Sequence, residues 1–346
     1  MKYLCTLWWV FCSLFASTQA NADGQVLRVL TWPGYADSDL VAVFEQRFKV
    51  KVEITLVASD EVLRSKLTAN RGGDFDVIAA NTAEIHQYVG QGLLQPLHPE
   101  HIANTARQLP RFRDYGKLPD IVIDGQLYAI PYAWSDMGLI YDRKQFKQPP
   151  DSIASMWDPK FQGRVLAFNT SNHNFSIASL ALGGDPFMIK PADFPQVTDK
   201  LIALRRNVLT FYSLPEEAAE LFRTHSVALI YANYGRQQLK QLRDAGVDVG
   251  YVVPREGALA WLDCWAISRG ANDPALAAQW INYMLEPEVS RALSERQDLS
   301  NTVQEPVDAS PSTRLIWLRP VEDDQRRAAL WQRIVSGERP PLKALR

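Results

Sequence analysis

The chain has little cysteine, little net charge and no long apolar run after its first residues. Of its 346 residues, three are cysteines, and only Cys264 lies beyond the N-terminal segment that holds Cys5 and Cys12. A lone cysteine cannot form an internal disulfide, which excludes the small, disulfide-stapled class of secreted domains. The formal net charge of −2 predicts no extended basic surface and therefore no nucleic acid partner.

The first 22 residues have the pattern of a secretory signal peptide. Lys2 is followed by an apolar stretch at 4–16, and Ala20 and Ala22 fit the small-x-small cleavage rule, so the mature chain would start near Asp23. The apolar stretch is shorter than the roughly 20 residues of a membrane span, and no later segment is long enough either. We therefore expect export with cleavage, and a periplasmic location because no disulfide framework accompanies the export signal.

Alternating strand and helix patterns predict an α/β fold with largely parallel sheets. Asp124-Gly125 predicts the turn of a hairpin within 122–130, and Asp273-Pro274 predicts the start of a helix. Ligands of open α/β sheets bind beyond the carboxyl ends of the strands. Those ends carry aromatic and polar side chains here: Trp32, Tyr35, Asn81, Asn169 to His173, and Tyr231 to Tyr234.

The most informative segment is Trp261-Leu262-Asp263, inside an otherwise apolar strand. Alternation along a strand places Trp261 and Asp263 on the same face. An aromatic ring beside a carboxylate is suited to an ammonium group, by cation–π attraction and ion pairing. A structural carboxylate that bonds a neighbouring backbone is the alternative, and the segment alone leaves both open.

Signatures of cofactor and metal chemistry are absent from the sequence. His98 and His101 lack the His-Glu-x-x-His order of zinc proteases, and the glycine pairs at 72–73 and 183–184 are not followed by the Lys-Ser/Thr of a phosphate loop. We therefore expect no cofactor, no metal and no enzymatic activity. A periplasmic enzyme using Asp263 and His173 as an acid–base pair is the alternative from another functional class.

Six segments together resemble the periplasmic spermidine/putrescine-binding protein family, the receptors of ABC importers. They keep the family's order over about 280 residues: Leu30 to Tyr35, Ser59 to Glu61, Asp74 to Ile78, Ala129 to Trp134, Trp261 to Ile267, and Ile281 to Leu285 with Pro287-Glu288.

The resemblance implies a two-lobe periplasmic binding protein of the type II-like kind. Each lobe would be a mixed, mostly parallel sheet flanked by helices, and two crossover hinge segments would join them. It implies a first lobe at 23–132 plus 262–320, a second lobe at 133–261, and a C-terminal helix and tail at 321–346. A small-molecule amine would bind between the lobes of a monomer, which would deliver it to an ABC permease in the inner membrane.

The resemblance also assigns ligand contacts. Trp32 and Tyr35 match aromatics that flank the aliphatic chain of the amine, and Trp261 and Asp263 match the ring and carboxylate that hold an amino group. Tyr231 stands where the family has Trp, and Asn81 where it has a small polar residue. The remaining candidate contacts are Trp134, His173 and Arg236.

Two family acids are missing, since Gly34 and His173 occupy their positions. An ω-amino acid such as 4-aminobutyrate or 5-aminovalerate is therefore the alternative ligand, with its ammonium at Asp263 and its carboxylate at Arg236 or His173. Asp136 is either a compensating acid or, as we favour, a surface residue near the hinge.

Overall fold

The computed structural model describes residues 25–306 and 315–339, so the expected signal peptide lies outside the described residues. The strands are β1 (Val26–Thr31), β2 (Lys51–Leu56), β3 (Val77–Asn81), β4 (Val122–Ile123), β5 (Gln126–Leu127), β6 (Ala129–Met137), β7 (Leu139–Asp142), β8 (Val165–Phe168), β9 (Val208–Tyr212), β10 (Leu229–Tyr231), β11 (Val249–Val252), β12 (Ala258–Ile267), β13 (Ser300–Asn301) and β14 (Leu315–Trp317).

The α-helices alternate with the strands over much of the chain. They are α1 (Ser38–Phe48), α2 (Asp60–Ala69), α3 (Thr82–Gly90), α4 (Pro110–Arg113), α5 (Ser171–Ala181), α6 (Phe194–Asn207), α7 (Pro215–Thr224), α8 (Arg236–Asp244), α9 (Pro274–Met284), α10 (Pro287–Gln297) and α11 (Asp324–Ser336). Among the residues described, no helix has the length and apolar character needed to cross a membrane.

Two separate sheets define two lobes, and the expected fold class is confirmed. The sheet of the first lobe has the strand order β13-β6-β12-β3-β1-β2, with β14 paired to β12. The sheet of the second lobe has the order β11-β7-β10-β8-β9. The hairpin β4–β5 also forms as predicted, and Asp124 and Gly125 take the positive φ values that its tight turn requires.

Strand pairing in both sheets is more evenly mixed than the expectation of mostly parallel sheets. The pairs β1–β2, β1–β3, β8–β9 and β8–β10 are parallel. The pairs β3–β12, β6–β12, β7–β10 and β7–β11 are antiparallel. Each of these antiparallel pairs contains a strand that leads into or out of the second lobe, and β12 also pairs parallel with β14.

Local sequence signals place the elements around the cleft. Ser59 caps α2 by accepting a hydrogen bond from the backbone N–H of Val62, and Asn81 caps α3 in the same way through Glu84. Asp273 caps α9, with Pro274 at the first helical position, as the sequence predicts. Asn81 is also the last residue of β3, so the cap fixes its side chain at a carboxyl end of the sheet.

Three stretches of chain pass between the lobes. β6 runs into β7 through Gly138, where a Cβ atom would lie 2.6 Å from the carbonyl oxygen of Val252, so only glycine fits. The second passage is 253–257, between β11 and β12. The third, which the sequence did not reveal, is 318–323, from β14 in the first lobe to α11, which packs on α5 and α6 of the second.

The buried guanidinium of Arg327 fastens α11 to the second lobe. It makes two hydrogen bonds to the carboxylate of Glu322, at 2.8 and 2.6 Å. It also donates to the hydroxyl of Ser176 and to the carbonyl oxygens of Asn172 and Pro186. Every polar contact is to the second lobe or to the approach to α11, so the helix and the lobe form one packed unit.

We expect Arg327→Met to destabilise the protein by about 3–5 kcal/mol, because it leaves the carboxylate of Glu322 without its partner in a mostly buried position. Arg111→Met is the control, since Arg111 pairs with Glu305 on the exposed surface and its loss should cost less than about 1 kcal/mol. Urea unfolding curves measure both variants. Equal losses in the two would show that Arg327 does not anchor α11.

Candidate functional site

A cavity of about 120 Å³ lies between the lobes, at the carboxyl ends of several strands. Both lobes supply its walls. The lining residues from the first lobe and the crossover strand are Trp32, Pro33, Tyr35, Val57, Ala58, Asp60, Asn81, Trp261, Asp263, Leu299 and Leu318, and those from the second lobe are His173, Leu214, Pro215, Glu216, Asn233, Tyr234, Gln237 and Gln241. The lining contains three carboxylates and several aromatic rings, and no Lys or Arg belongs to it.

The carboxylate of Asp263 is the most deeply buried acid of the cavity, with 6% of the residue exposed. Its Oδ2 accepts a 2.7 Å hydrogen bond from the hydroxyl of Tyr35. Burial raises the pKa of Asp263 from 3.8 to about 7, although the bond from Tyr35 acts in the opposite direction. Within the described part of the chain, no Lys, Arg or His forms an ion pair with this carboxylate.

Trp261 and Asp263 both line the cavity, as alternation along one strand predicts. They lie on β12, which is held between β3 and β6, and Asp263 is opposite Asn81 in the first pairing and Ala133 in the second. A central strand with partners on both sides cannot shift easily. The position of the Asp263 carboxylate is therefore set by the sheet itself.

The two tryptophans of the cavity differ in their ring N–H groups. The Nε1 of Trp261 donates to the carbonyl oxygen of Asn233 at 3.3 Å, so the second lobe holds this ring in place. The Nε1 of Trp32 is buried and has no hydrogen-bond partner among the described residues. A buried, unpaired donor is costly, and a ligand atom that accepts from it or a solvent molecule would remove that cost.

Tyr35 has a role in addition to the one that the resemblance implies. Its ring is buried, 5.5 Å from the ring of Tyr132 in an edge-on contact, and its hydroxyl is committed to Asp263. Burial and the nearby charge of Asp263 keep the pKa of Tyr35 well above its ordinary value, so the phenol stays a donor. It positions the carboxylate in addition to lining the cavity.

His173 lies on the opposite wall, near the start of α5. Its Nδ1 is 2.7 Å from Oδ1 of Asn233, and burial lowers its pKa below the ordinary 6.5. The imidazole is therefore neutral at pH 7 and supplies no positive charge to the cavity. Because Asn233 Oδ1 is an acceptor, Nδ1 carries the proton in this arrangement.

Trp134, Tyr231 and Arg236 are not among the residues that line the cavity. Trp134 contacts Trp317 and Phe112. The hydroxyl of Tyr231 lies 3.7 Å from the sulfur of Met137 in the core of the second lobe.

Arg236 begins α8, and its guanidinium lies 5.8 Å from the ring centroid of Tyr251. Asp136 lies in the same region. We expected it at the surface, but it is buried. Its carboxylate accepts a 2.8 Å hydrogen bond from the hydroxyl of Tyr251, and burial raises its pKa. It does not line the cavity.

Tyr234 belongs to the strand end at 231–234 that the sequence predicted to face the cleft, whereas the sequence did not single out Asp60 or Gln237 as contacts. The hydroxyl of Tyr234 lies 3.1 Å from the carbonyl oxygen of Ala58 across the cleft and 2.9 Å from that of Ser213 in its own lobe, so its one proton is shared between them. The Nε2 of Gln237 donates to Oε1 of Gln297 at 2.7 Å. The contacts with Ala58 and Gln297 join α8 and the segment before it to the first lobe. Asp60 follows the short loop after β2. The rule that ligands bind beyond the carboxyl ends of strands would therefore have identified it.

A larger groove, of about 850 Å³, lies on the first lobe along 95–102 and the start of α9. No acid lines it, and its only ionisable side chains are those of His98 and His101. The residues that the structure describes contain no cluster of three or more His, Cys, Asp or Glu able to hold a metal ion. The interlobe cavity is the better candidate, because charge, aromatic rings and burial converge there.

Comparison with known proteins assigns the chain to a family and finds relatives by sequence. A family model described as bacterial extracellular solute-binding protein matches residues 39–312. Spermidine/putrescine-binding periplasmic protein 1 of Haemophilus influenzae is 27% identical over 277 residues, which are 79% of this chain and 74% of that protein. Putrescine-binding periplasmic protein PotF of Escherichia coli is 25% identical over 348 residues, covering 92% of this chain and 93% of that protein.

One solved structure shows the likeness in fold. The spermidine/putrescine ABC transporter substrate-binding protein PotD of Streptococcus pneumoniae matches with a TM-score of 0.71 at 20% identity, over 91% of this chain and 98% of that one. The two-lobe fold of the present chain is therefore shared with that protein.

We expect Asp263→Asn to stabilise the ligand-free protein, increasingly so as the pH rises. With the native sequence, the carboxyl group of Asp263 loses its proton near pH 3.8 when the chain is unfolded and near pH 7 when it is folded. The free energy of unfolding therefore falls as the pH rises across that interval. The full difference corresponds to about 4 kcal/mol. Asparagine does not titrate, so the gain in melting temperature should grow from about pH 4 to pH 7 and then level off.

Asp273→Asn is the matched control for thermal unfolding. Its carboxylate is exposed and caps α9, and hydrogen bonds from the backbone N–H of Leu276, from Gln25 and from Ala275 lower its pKa. The effect of pH therefore has the opposite sign. At pH values above the pKa of Asp273, Asp273→Asn should be less stable than the native protein. A gain for Asp263→Asn that is the same at all pH values would contradict a buried, titrating carboxylate.

Proposed function

Because the chain belongs to the bacterial extracellular solute-binding protein family, we propose that it binds a polyamine or a related amine between its lobes. One observation carries the proposal: the buried carboxylate of Asp263, without a cationic partner, faces a cavity lined by Trp32 and Trp261. An ammonium group there would gain an ion pair and cation–π attraction. The relatives named for spermidine and putrescine support the same class of ligand.

The charge of the cavity favours an amine over an ω-amino acid. The carboxylate of an ω-amino acid needs a cationic or strongly donating partner. Arg236 does not line the cavity, and His173 is held neutral by burial. The other acids of the lining, Asp60 and Glu216, would repel a carboxylate.

An acid–base enzyme is poorly supported by the same geometry. The ring of His173 is paired with Asn233, and Asp263 is paired with Tyr35, so the two groups do not form a hydrogen-bonded pair. General acid–base catalysis needs both groups within reach of one substrate proton path. Relatives that are named as binding proteins point the same way.

The proposal includes delivery of the amine to an ABC permease in the inner membrane. Closure of the lobes would bury the ligand, and the closed form would present both lobes to the permease. The protein would act in the periplasm after cleavage of residues 1–22, in keeping with the periplasmic relatives. Its working form would be a monomer.

Titration calorimetry with putrescine, spermidine and 4-aminobutyrate tests the ligand class on the mature protein. We expect one or both polyamines to bind and 4-aminobutyrate to bind weakly. Asp263→Asn should cost about 2–5 kcal/mol of polyamine binding free energy, because it removes one partner of a buried ion pair.

Asp273→Asn is the control for this measurement, since Asp273 is exposed and lies outside the cavity. It should bind polyamines as the native protein does. Preferential binding of 4-aminobutyrate by the native protein would support the ω-amino acid alternative instead. Unchanged polyamine affinity in Asp263→Asn would remove Asp263 from the site.

A further inference from the structure

Asp60 places a second carboxylate in the cavity, beside Asp263. It is the first residue of α2, directly after the capping residue Ser59, and it lines the cavity together with Trp32 and Asn81. It belongs to the segment Ser59 to Glu61 that carries the resemblance, but the sequence did not assign it a ligand contact.

Asn81 holds the two carboxylates in one arrangement. Its Oδ1 accepts from the backbone N–H of Glu84 at 3.1 Å, so the amide cannot turn, and its Nδ2 donates to Oδ1 of Asp60 at 3.0 Å. In the pairing of β3 with β12, Asn81 lies directly opposite Asp263. One capped side chain therefore ties Asp60 to the strand neighbour of Asp263.

Asp60 has no ion-pair partner in the part of the chain that the structure describes. Arg64, one turn later on α2, is committed to Glu84 through Nε and Nη2 and to Asp324 through Nη1. Among the described residues, only Asn81 donates a hydrogen bond to its carboxylate. Burial first, and then the charges of Glu84, Glu61 and Asp263, raise the pKa of Asp60 well above its ordinary value.

A ligand with a single positive charge cannot neutralise both carboxylates of this cavity. A ligand with one ammonium group would pair with Asp263 and leave Asp60, which is partly buried, without a counter-charge. A ligand with a second cationic group would pair both and would also remove their mutual repulsion. The rings of Trp32 and Trp261 lie in the same cavity, where they can contact the methylene chain between the two charges.

We propose that Asp60 is a second cation anchor, which makes the cavity selective for amines with two cationic groups over monoamines and ω-amino acids. This inference depends on the proposed function, since it concerns the same cavity. Asp60 would discriminate between ligands with one and with two cationic groups, whereas Asp263 would bind an ammonium group of any amine. The two residues should therefore have separable effects on binding.

The test compares 1,4-diaminobutane with n-butylamine, which lacks the second charge. Direct calorimetry measures the diamine, and competition against it measures the monoamine. Asp60→Asn keeps an acceptor for Asn81 and should weaken diamine binding about tenfold or more, while n-butylamine binding changes by less than about threefold. Asp263→Asn should weaken the binding of both.

Asp39→Asn is the matched control, because Asp39 is also an acid in the first turn of a first-lobe helix and does not line the cavity. It should leave the binding of both amines unchanged. Thermal unfolding of Asp60→Asn checks that the variant is folded, and we expect it to be at least as stable as the native protein, since asparagine keeps the acceptor for Asn81 and removes a carboxyl group that has no ion-pair partner among the described residues.

The outcomes separate this inference from the proposed function. If the native protein binds neither of these amines nor spermidine, both fail. If it binds n-butylamine as tightly as 1,4-diaminobutane, or if Asp60→Asn weakens both to the same degree or neither, the role of Asp60 is wrong while amine binding stands. Selective loss of the diamine supports the second anchor.

Discussion

The structure of the cleft depends on one costly feature, a carboxylate buried without a cation. Asp263 lies on a central strand with partners on both sides, and Tyr35 is the one neutral donor that reaches it. A protein that buries a charge in this way loses stability unless something else brings the opposite charge. A ligand with a positive charge would remove this cost, as proposed above, and the burial of Asp263 beside aromatic rings limits its contact with solvent.

Much of this arrangement could be read from the sequence, because alternation along a strand is a local property. The shared face of Trp261 and Asp263 follows from a spacing of two, and the start of α9 follows from the pair Asp273-Pro274. The hairpin at Asp124-Gly125 likewise needs only the φ preferences of two residues. These predictions required no knowledge of which strands pair.

Some candidate contacts lie outside the cavity, because their positions depend on how the strands pair and how the helices pack. This information cannot be read from the sequence alone. Trp134 lies opposite Leu262 in the pairing of β6 with β12, so it shares the face of Leu262 and not that of Trp261 and Asp263. Tyr231 points into the core of the second lobe, where its hydroxyl meets Met137. Arg236 begins α8, and the direction of its side chain follows from the packing of that helix against Tyr251. Asp60 was missed because a first-turn acid is ordinarily a solvated helix terminus.

The three passages between the lobes lie side by side. β14 pairs with β12 at 258–260, and β12 pairs with β6 at 135–137, so all three chains leave the first lobe along one strip of a single sheet. A strip of hydrogen-bonded strands bends readily across its plane and resists shear within it. A rotation about this strip is therefore the motion that would open and close the cleft. Such a rotation would have to break the contacts of Tyr234 with Ala58, of Gln237 with Gln297 and of Thr170 with Glu61.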